Sequence, residues 1–200
     1  MPGLQDLSLV FIAYLIGSIP FGLLISRAVG RVDIRQHGSG NIGTANVLRI
    51  MGKRAAALTL VGDLLKGFLP VLAARLLGGA ELFVAGVGIA AVLGHNWSIY
   101  LRFTGGKGVA TSFGVLLAMT PLPAFFGLLV WLAVLLIYRY TSLSAMVASV
   151  CIPPVILFST GSGPYFIFSI VVALLIFIRH HDNIKRIWAG TEHRVGHRVP

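Results

Sequence analysis

Two short polar stretches in this chain bring together residue types that can hold phosphate. The first, GSGNIGTANVLR, runs from Gly38 to Arg49. Gly38, Gly40 and Gly43 permit positive φ and close approach of the backbone to a ligand, and successive N–H groups in such a turn form an anion-binding nest. Ser39, Asn41, Thr44 and Asn46 add neutral donors, and Arg49 adds a planar cationic fork. A short helix from Ala45 onward would point its positive end at the same loop. The second stretch, FTGGKG, sets Gly105, Gly106 and Gly108 around Lys107, just before an apolar run. It is not a Walker A loop, because Leu101 stands where that motif needs glycine and Gly108 where it needs Ser or Thr. The plainer explanations are a polar connector capped by Ser39 or Asn41, and a helix-entry turn with a snorkelling lysine.

Three further groups carry charge or protons. Asp63 and Lys66, in GDLLKG, are three residues apart and share a helical face. Lys66 falls roughly 16 Å into an apolar segment at 1.5 Å per residue. Charges at such depth pair with each other or line a wet cavity, so Lys66 is either half of a neutralised pair or a cation at the floor of a phosphate site. In RHHDNIKR, His180 and Asn183 share a face that Arg186 continues. His180 can donate a hydrogen bond or handle a proton, although the stretch also reads as an ordinary basic flank. His95, in GHNWS, ranks below His180 as a candidate. Cys151 lies inside an apolar segment and reads as a packing residue; as the single cysteine it excludes an intramolecular disulfide and a multi-cysteine metal site.

The elements that must position these groups are apolar helices. Of the 200 residues, 56% are hydrophobic and 11% charged, against about 25% charged in soluble domains. Seven segments are candidate spans: 7–29, 55–77, 82–100, 109–119, 122–138, 142–159 and 165–178. The fourth is short, and TPLP at 120–123 separates it from the fifth by a proline turn. The fold class is therefore all-α, a polytopic integral membrane protein forming one domain over residues 1–200. In a seven-span arrangement, all 16 Lys and Arg except Lys66 and Arg75 fall on one side, including Arg198 at the far end. That asymmetry places the N-terminus outside and the C-terminus in the cytoplasm. The net charge of +10 follows from these inner loops, and no basic-plus-aromatic module points to nucleic acid.

In order, the pieces SGNIG..NVLR, GDLLKG, GHNW, FTGGKGVAT, YTSLSAMV and RHHDNIKR resemble the membrane-integral acyl-phosphate:glycerol-3-phosphate acyltransferases of bacteria, the PlsY type. The likeness covers nearly the whole chain. It implies seven spans in the bacterial inner membrane and a site facing the cytoplasm. It implies transfer of a fatty acyl group from acyl phosphate to glycerol 3-phosphate, with membrane lipid around the enzyme and no cofactor or metal. By motif match it carries a site onto Ser39, Asn41, Asn46 and Arg49, onto Gly106, Lys107 and Gly108, and onto His180 and Asn183, with Ser142 from TSLS. Lys107, Arg49, His180 and Asn183 are the expected catalytic groups. Gly40, Gly105 and Lys66 join the phosphate-binding set. The family often reads GATN where this chain has GTAN, which exchanges Thr44 and Ala45. None of the six histidines has an aspartate five positions later, so the better-known His–Asp acyltransferase pattern is absent.

In this reading the cations and glycine loops offset the repulsion between two phosphate-bearing substrates. The glycerol hydroxyl attacks the acyl carbon directly, and the proton leaves to His180 or to a substrate phosphate. The competing class is a transporter of phosphate-bearing anions. Such proteins place ligands near the membrane midplane and carry internal repeats. Here the glycine loops sit at one interface and no repeat is visible.

Overall fold

The computed structural model describes residues 4–195, and Arg198 lies outside them. Ten α-helices follow one another among the described residues: α1 (Leu4–Gly17), α2 (Phe21–Gly30), α3 (Thr44–Met51), α4 (Lys53–Leu76), α5 (Glu81–Asn96), α6 (Val109–Met119), α7 (Pro121–Tyr138), α8 (Thr141–Thr160), α9 (Gly163–Arg179) and α10 (His181–Trp188). By length and apolarity four helices can cross a membrane, counting Leu7–Gly30 as one. The bent pair α9 and α10, which meet at 60°, makes a fifth. At 16 and 11 residues, α5 and α6 fall short of the roughly 20 that a crossing helix needs.

The run expected as one span over 7–29 is broken at Pro20, which lacks an N–H and crowds the preceding turn. The carbonyls of Ser18 and Ile19 fall out of the regular ladder as a result. Two side chains from other elements take them. The Ser98 hydroxyl donates to Ser18 O at 2.6 Å, and the Lys66 ammonium donates to Ile19 O at 2.9 Å. Ile19 O also accepts from the Phe21 N–H at 3.1 Å, and the ammonium fills the second acceptor position that no water reaches at membrane depth, so a cation deep in α4 has a structural task. Its charge is balanced by Asp63 at 2.7 Å, both side chains being almost fully buried. The structure departs here from the expectation that Lys66 is a phosphate-facing cation.

Helices α4 and α6 touch along their backbones. A Cβ on Gly67 would sit 2.2 Å from Thr111 O, and one on Gly114 would sit 2.1 Å from Leu64 O. Small residues permit this approach where lipid offers no hydrophobic drive between helices. Helix α5 packs on both α1 and α9, with Val84, Val87 and Ala91 fully buried. Helix α8 lies between α7 and α9. The short turns after α4, α6 and α8 gather at one end. There Ser162 donates to Glu81 at 2.7 Å, and Arg75 donates to the closing carbonyls of α6, Ala118 and Met119. The long connections, together with α3 and α10, gather at the other end.

Candidate functional site

The first connection begins with a turn over Ile34–Gln36 that Asp33 caps. Arg35 and Arg27 hold the Asp33 carboxyl well below the usual carboxylate range, the Arg35 hydrogen bond contributing most. The chain then passes Gly38 and Gly40 with φ of +61° and +69°, the left-handed region that glycine enters freely. Asn46, on the first turn of α3, ties the loop together. Its Nδ2 donates to the carbonyls of Ile34, His37 and Asn41 at 3.2, 3.0 and 2.9 Å. Its Oδ1 accepts from the Ser39 N–H at 3.0 Å and from Arg49 at 3.4 Å. The amide expected to bind phosphate thus holds the loop shut and steadies Arg49.

The second connection carries Lys107. Arg179, from the end of α9, donates to the carbonyls of Gly106 and Gly105 at 3.0 and 2.9 Å. Its guanidinium also stands 5.5 Å from the centre of the Trp97 ring. The Lys107 ammonium donates to Asn183 Oδ1. Burial, reinforced by Arg186, pushes Lys107 down to about 8, while Glu192 and Asp182 pull the other way.

The tail brings the remaining groups. At the bend between α9 and α10, His180 Nδ1 lies 2.7 Å from Ile176 O. A carbonyl only accepts, so Nδ1 carries the proton and Nε2 is left as an acceptor. Burial, and then the charge of Lys107, lower His180 to about 4, which keeps the ring neutral at physiological pH. Glu192, which no sequence pattern singled out, is the hub. Ser142 and Asn183 donate to its Oε1 at 2.8 and 2.6 Å, and Arg186 donates to its Oε2 at 2.8 Å. Burial works to raise the Glu192 carboxyl, but the hydrogen bonds from Asn183, Ser142 and Arg186 outweigh it and hold the group below its ordinary value. The one available signal was that Glu192 is one of only two acidic residues, with Asp182, in an otherwise basic tail.

Together these segments enclose one chamber of about 410 Å³. Ser39, Asn41, Asn46, Arg49, Lys107, Gly108, Ser142, His180 and Asn183 all line it, with Arg186 and Glu192. Gly40, Gly105, Gly106 and Lys66 do not. Three cations, Arg49, Lys107 and Arg186, share the chamber with two carboxylates, Glu192 and Asp63, and Asp63 is already paired with Lys66 at 2.7 Å. The body of the chamber is apolar, with Leu60, Leu64, Phe113, Trp131, Ile152 and Phe168 on its walls. A surplus of positive charge over an apolar cavity suits an anionic head with a hydrocarbon tail. Among the described residues no cluster of His, Cys, Asp or Glu could hold a metal ion.

Comparison with known proteins gives a consistent result. A family model described as glycerol-3-phosphate acyltransferase matches residues 7–190. The glycerol-3-phosphate acyltransferase of Rubrobacter xylanophilus is 48% identical over 194 residues, which cover 96% of each chain. That of Geotalea daltonii is 45% identical over 188 residues, covering 94% of this chain and 96% of its own. The crystal structure of PlsY, an integral membrane glycerol 3-phosphate acyltransferase, in its glycerol 3-phosphate form superposes with a TM-score of 0.92 at 41% identity, over 96% of each chain. Its lysophosphatidic acid form gives a TM-score of 0.90.

Proposed function

The chain belongs to the glycerol-3-phosphate acyltransferase family, and from that premise we propose that its chamber transfers a fatty acyl group from acyl phosphate to glycerol 3-phosphate. It is an integral membrane acyltransferase of phospholipid biosynthesis. The donor, the site residues and the topology are our reading. The observation that carries it is the convergence of Arg49, Lys107 and Arg186 on one head above an apolar cavity. That arrangement accepts two phosphates and one acyl chain at once.

The chemistry is a single displacement. A hydroxyl oxygen of glycerol 3-phosphate attacks the acyl carbon, the bond from that carbon to the phosphate oxygen breaks, and phosphate leaves. Acyl phosphate is a mixed anhydride, so its leaving group departs readily and no covalent enzyme intermediate is required. Lys107 and Arg49 offset the repulsion between the two anions, and most of the rate gain comes from holding them in place. Neutral His180 presents Nε2 as an acceptor that orients the hydroxyl. A group that low in basicity is a poor store for the proton, which therefore ends on a substrate phosphate oxygen.

The chain crosses the membrane seven times in this reading, with the short helices α5 and α6 spanning a locally thinned bilayer. The N-terminus lies outside, and the basic end with the chamber head faces the cytoplasm of a bacterial inner membrane. Residues 1–200 form one domain. Anion transport, the other class open to the sequence, has no support among the relatives, which are acyltransferases. The test is to incubate the purified protein in detergent with palmitoyl phosphate and labelled glycerol 3-phosphate. Labelled lysophosphatidate is the expected product. No conversion without a sealed compartment would reject the reading.

A further inference from the structure

The two glycines before Lys107 have no positive φ to accommodate. They are small because α5 lies against them. A Cβ on Gly105 would sit 2.2 Å from His95 O, and one on Gly106 would sit 2.0 Å from His95 Nε2. The Gly106 N–H also donates to His95 O at 3.0 Å. With Arg179 holding the two carbonyls from the far side, the loop is a thin layer between an imidazole and a guanidinium. Behind the imidazole stands Asp63, its Oδ1 3.7 Å from His95 Nδ1 and 2.7 Å from Lys66 Nζ. His95 is only 4% exposed, and its Nδ1 has no hydrogen-bond partner among the described residues. The buried pair in α4, which already closes the break after α1, therefore also backs the ring beneath the loop.

We propose that His95, backed by Asp63, is a positioning residue for acyl transfer: its ring is the seat on which Gly106 rests, and the seat sets where the Lys107 ammonium stands. The inference rests on the reading of the chamber as the acyl-transfer site. Its physical basis is steric. Lys107 reaches Asn183 from a loop with no side chains of its own on the α5 side, so the height of the loop is fixed by what lies beneath it. Asp63 Oδ1, 3.7 Å from Nδ1, stands beyond hydrogen-bond reach, so the ring is held by packing and by the field of the buried Asp63–Lys66 pair. A displacement of about 1 Å in a catalytic group can cost on the order of 100-fold in rate.

The contact makes a specific demand on paired substitutions. Gly106→Ala pushes a methyl group into the imidazole and is expected to lower kcat by about 100-fold, with KM for both substrates changed less than about threefold. His95→Asn shortens the side chain, keeps a polar group toward Asp63 and empties the space at Nε2. It is expected to lower kcat by about tenfold with the same small effect on KM, and His95→Gln to recover part of that loss. In the His95→Asn background, Gly106→Ala is expected to cost less than about threefold, because its methyl group now has room. If the asparagine variant does not fold, as judged by gel filtration and thermal unfolding in detergent, His95→Ala provides the same comparison. A Gly106→Ala cost that is equal in both backgrounds, or a loss carried by KM alone, overturns the seat. Lys107→Ala separates the two levels of the argument. Full activity in that variant rejects the reading of the chamber itself. An inactive Lys107→Ala with equal Gly106→Ala costs rejects only the role of His95.

Discussion

The two glycine-rich connections look alike in sequence and differ in why they are glycine-rich. In the first, Gly38 and Gly40 adopt left-handed backbone angles, +61° and +69°. In the second, Gly105 and Gly106 have no such angle; of its three glycines among the described residues only Gly108, at +79°, does, while Arg102 and Phe103 enter that region without being glycine. There the missing side chains make room for α5, whose His95 carbonyl and ring come within 2.2 Å of where Cβ atoms would stand. The first loop is shaped from within, by its own turns and the amide of Asn46. The second is shaped from outside, by His95 below and Arg179 above. Each delivers one cation to the same chamber, Arg49 from the first and Lys107 from the second. The same residue type therefore answers two separate physical requirements, and only the neighbours reveal which.

The cations themselves give the largest expected effects. Lys107 is more deeply buried than Arg49 and contacts Asn183 directly. Lys107→Ala is expected to lower kcat by roughly 10³-fold, the scale of losing a preorganised charge at the reacting centre. Arg49→Ala is expected to act mainly on KM for a phosphate-bearing substrate, raising it on the order of tenfold. Steady-state kinetics in detergent, varying each substrate in turn, separates the two parameters. Equal effects on the same parameter would erase the division of labour between the loops.

The frames come next. Gly105→Ala meets backbone atoms, His95 O at 2.2 Å and Asn96 O at 2.7 Å, which cannot swing aside as a side chain can. It is expected to destabilise the protein by about 3 kcal/mol, the upper part of the overpacking range. Asn46→Ala removes the tie of the first loop and leaves the carbonyls of Ile34, His37 and Asn41 short of a donor. The expected cost is about 2 kcal/mol, with Arg49 loosened as well. Thermal unfolding in detergent ranks the pair, and a smaller shift for Gly105→Ala than for Asn46→Ala would undo the claim that the second loop is wedged against α5.

Much of this architecture was legible in the sequence, and the exceptions share a cause. Apolar runs located the helices, the TPLP turn separated α6 from α7, and the long connections were singled out as the polar ones. Arg49, Lys107, His180 and Asn183, from three distant stretches, do meet at one chamber. What escaped was contact across long separations. Lys66 serves a carbonyl 47 residues away, and Glu192 joins Ser142 50 residues away. No local period encodes either. The break at Pro20 was different: the run over 7–29 does count as one span, and what the apolar composition hid was the interruption of the helix inside it. His95 was ranked low for a related reason: its importance lies in which loop rests on it.

A change of pH tests the loops without altering either. Lowered to about 8 by burial, Lys107 loses its charge far earlier than an ordinary lysine. In the proposed mechanism the protonated form is the active one, so its contribution is complete below that pH and falls as pH rises through it. Arg49 keeps its charge throughout, as guanidinium does. At pH 9, kcat/KM is therefore expected to be about tenfold below its plateau. Lys107→Arg should lower the plateau but remove this decline. His180, at about 4, adds no inflection between pH 5 and 7. A decline that survives in Lys107→Arg would assign it to another group.

The mildest change probes the first loop alone. Gly40 does not line the chamber, and a Cβ there would meet nothing nearer than Arg35 O at 3.1 Å. Its glycine is required only by the backbone angle of +69°. Alanine in the left-handed region costs about 1 kcal/mol, so Gly40→Ala should lower the unfolding midpoint slightly and reduce activity by less than about threefold. Asparagine tolerates that region better than alanine does, and Gly40→Asn should recover part of the loss. The same asparagine at Gly105 should recover nothing, since the obstacle there is the carbonyl of His95 and not a torsion. Recovery at both positions, or at neither, would mean that the two loops use glycine for the same reason after all.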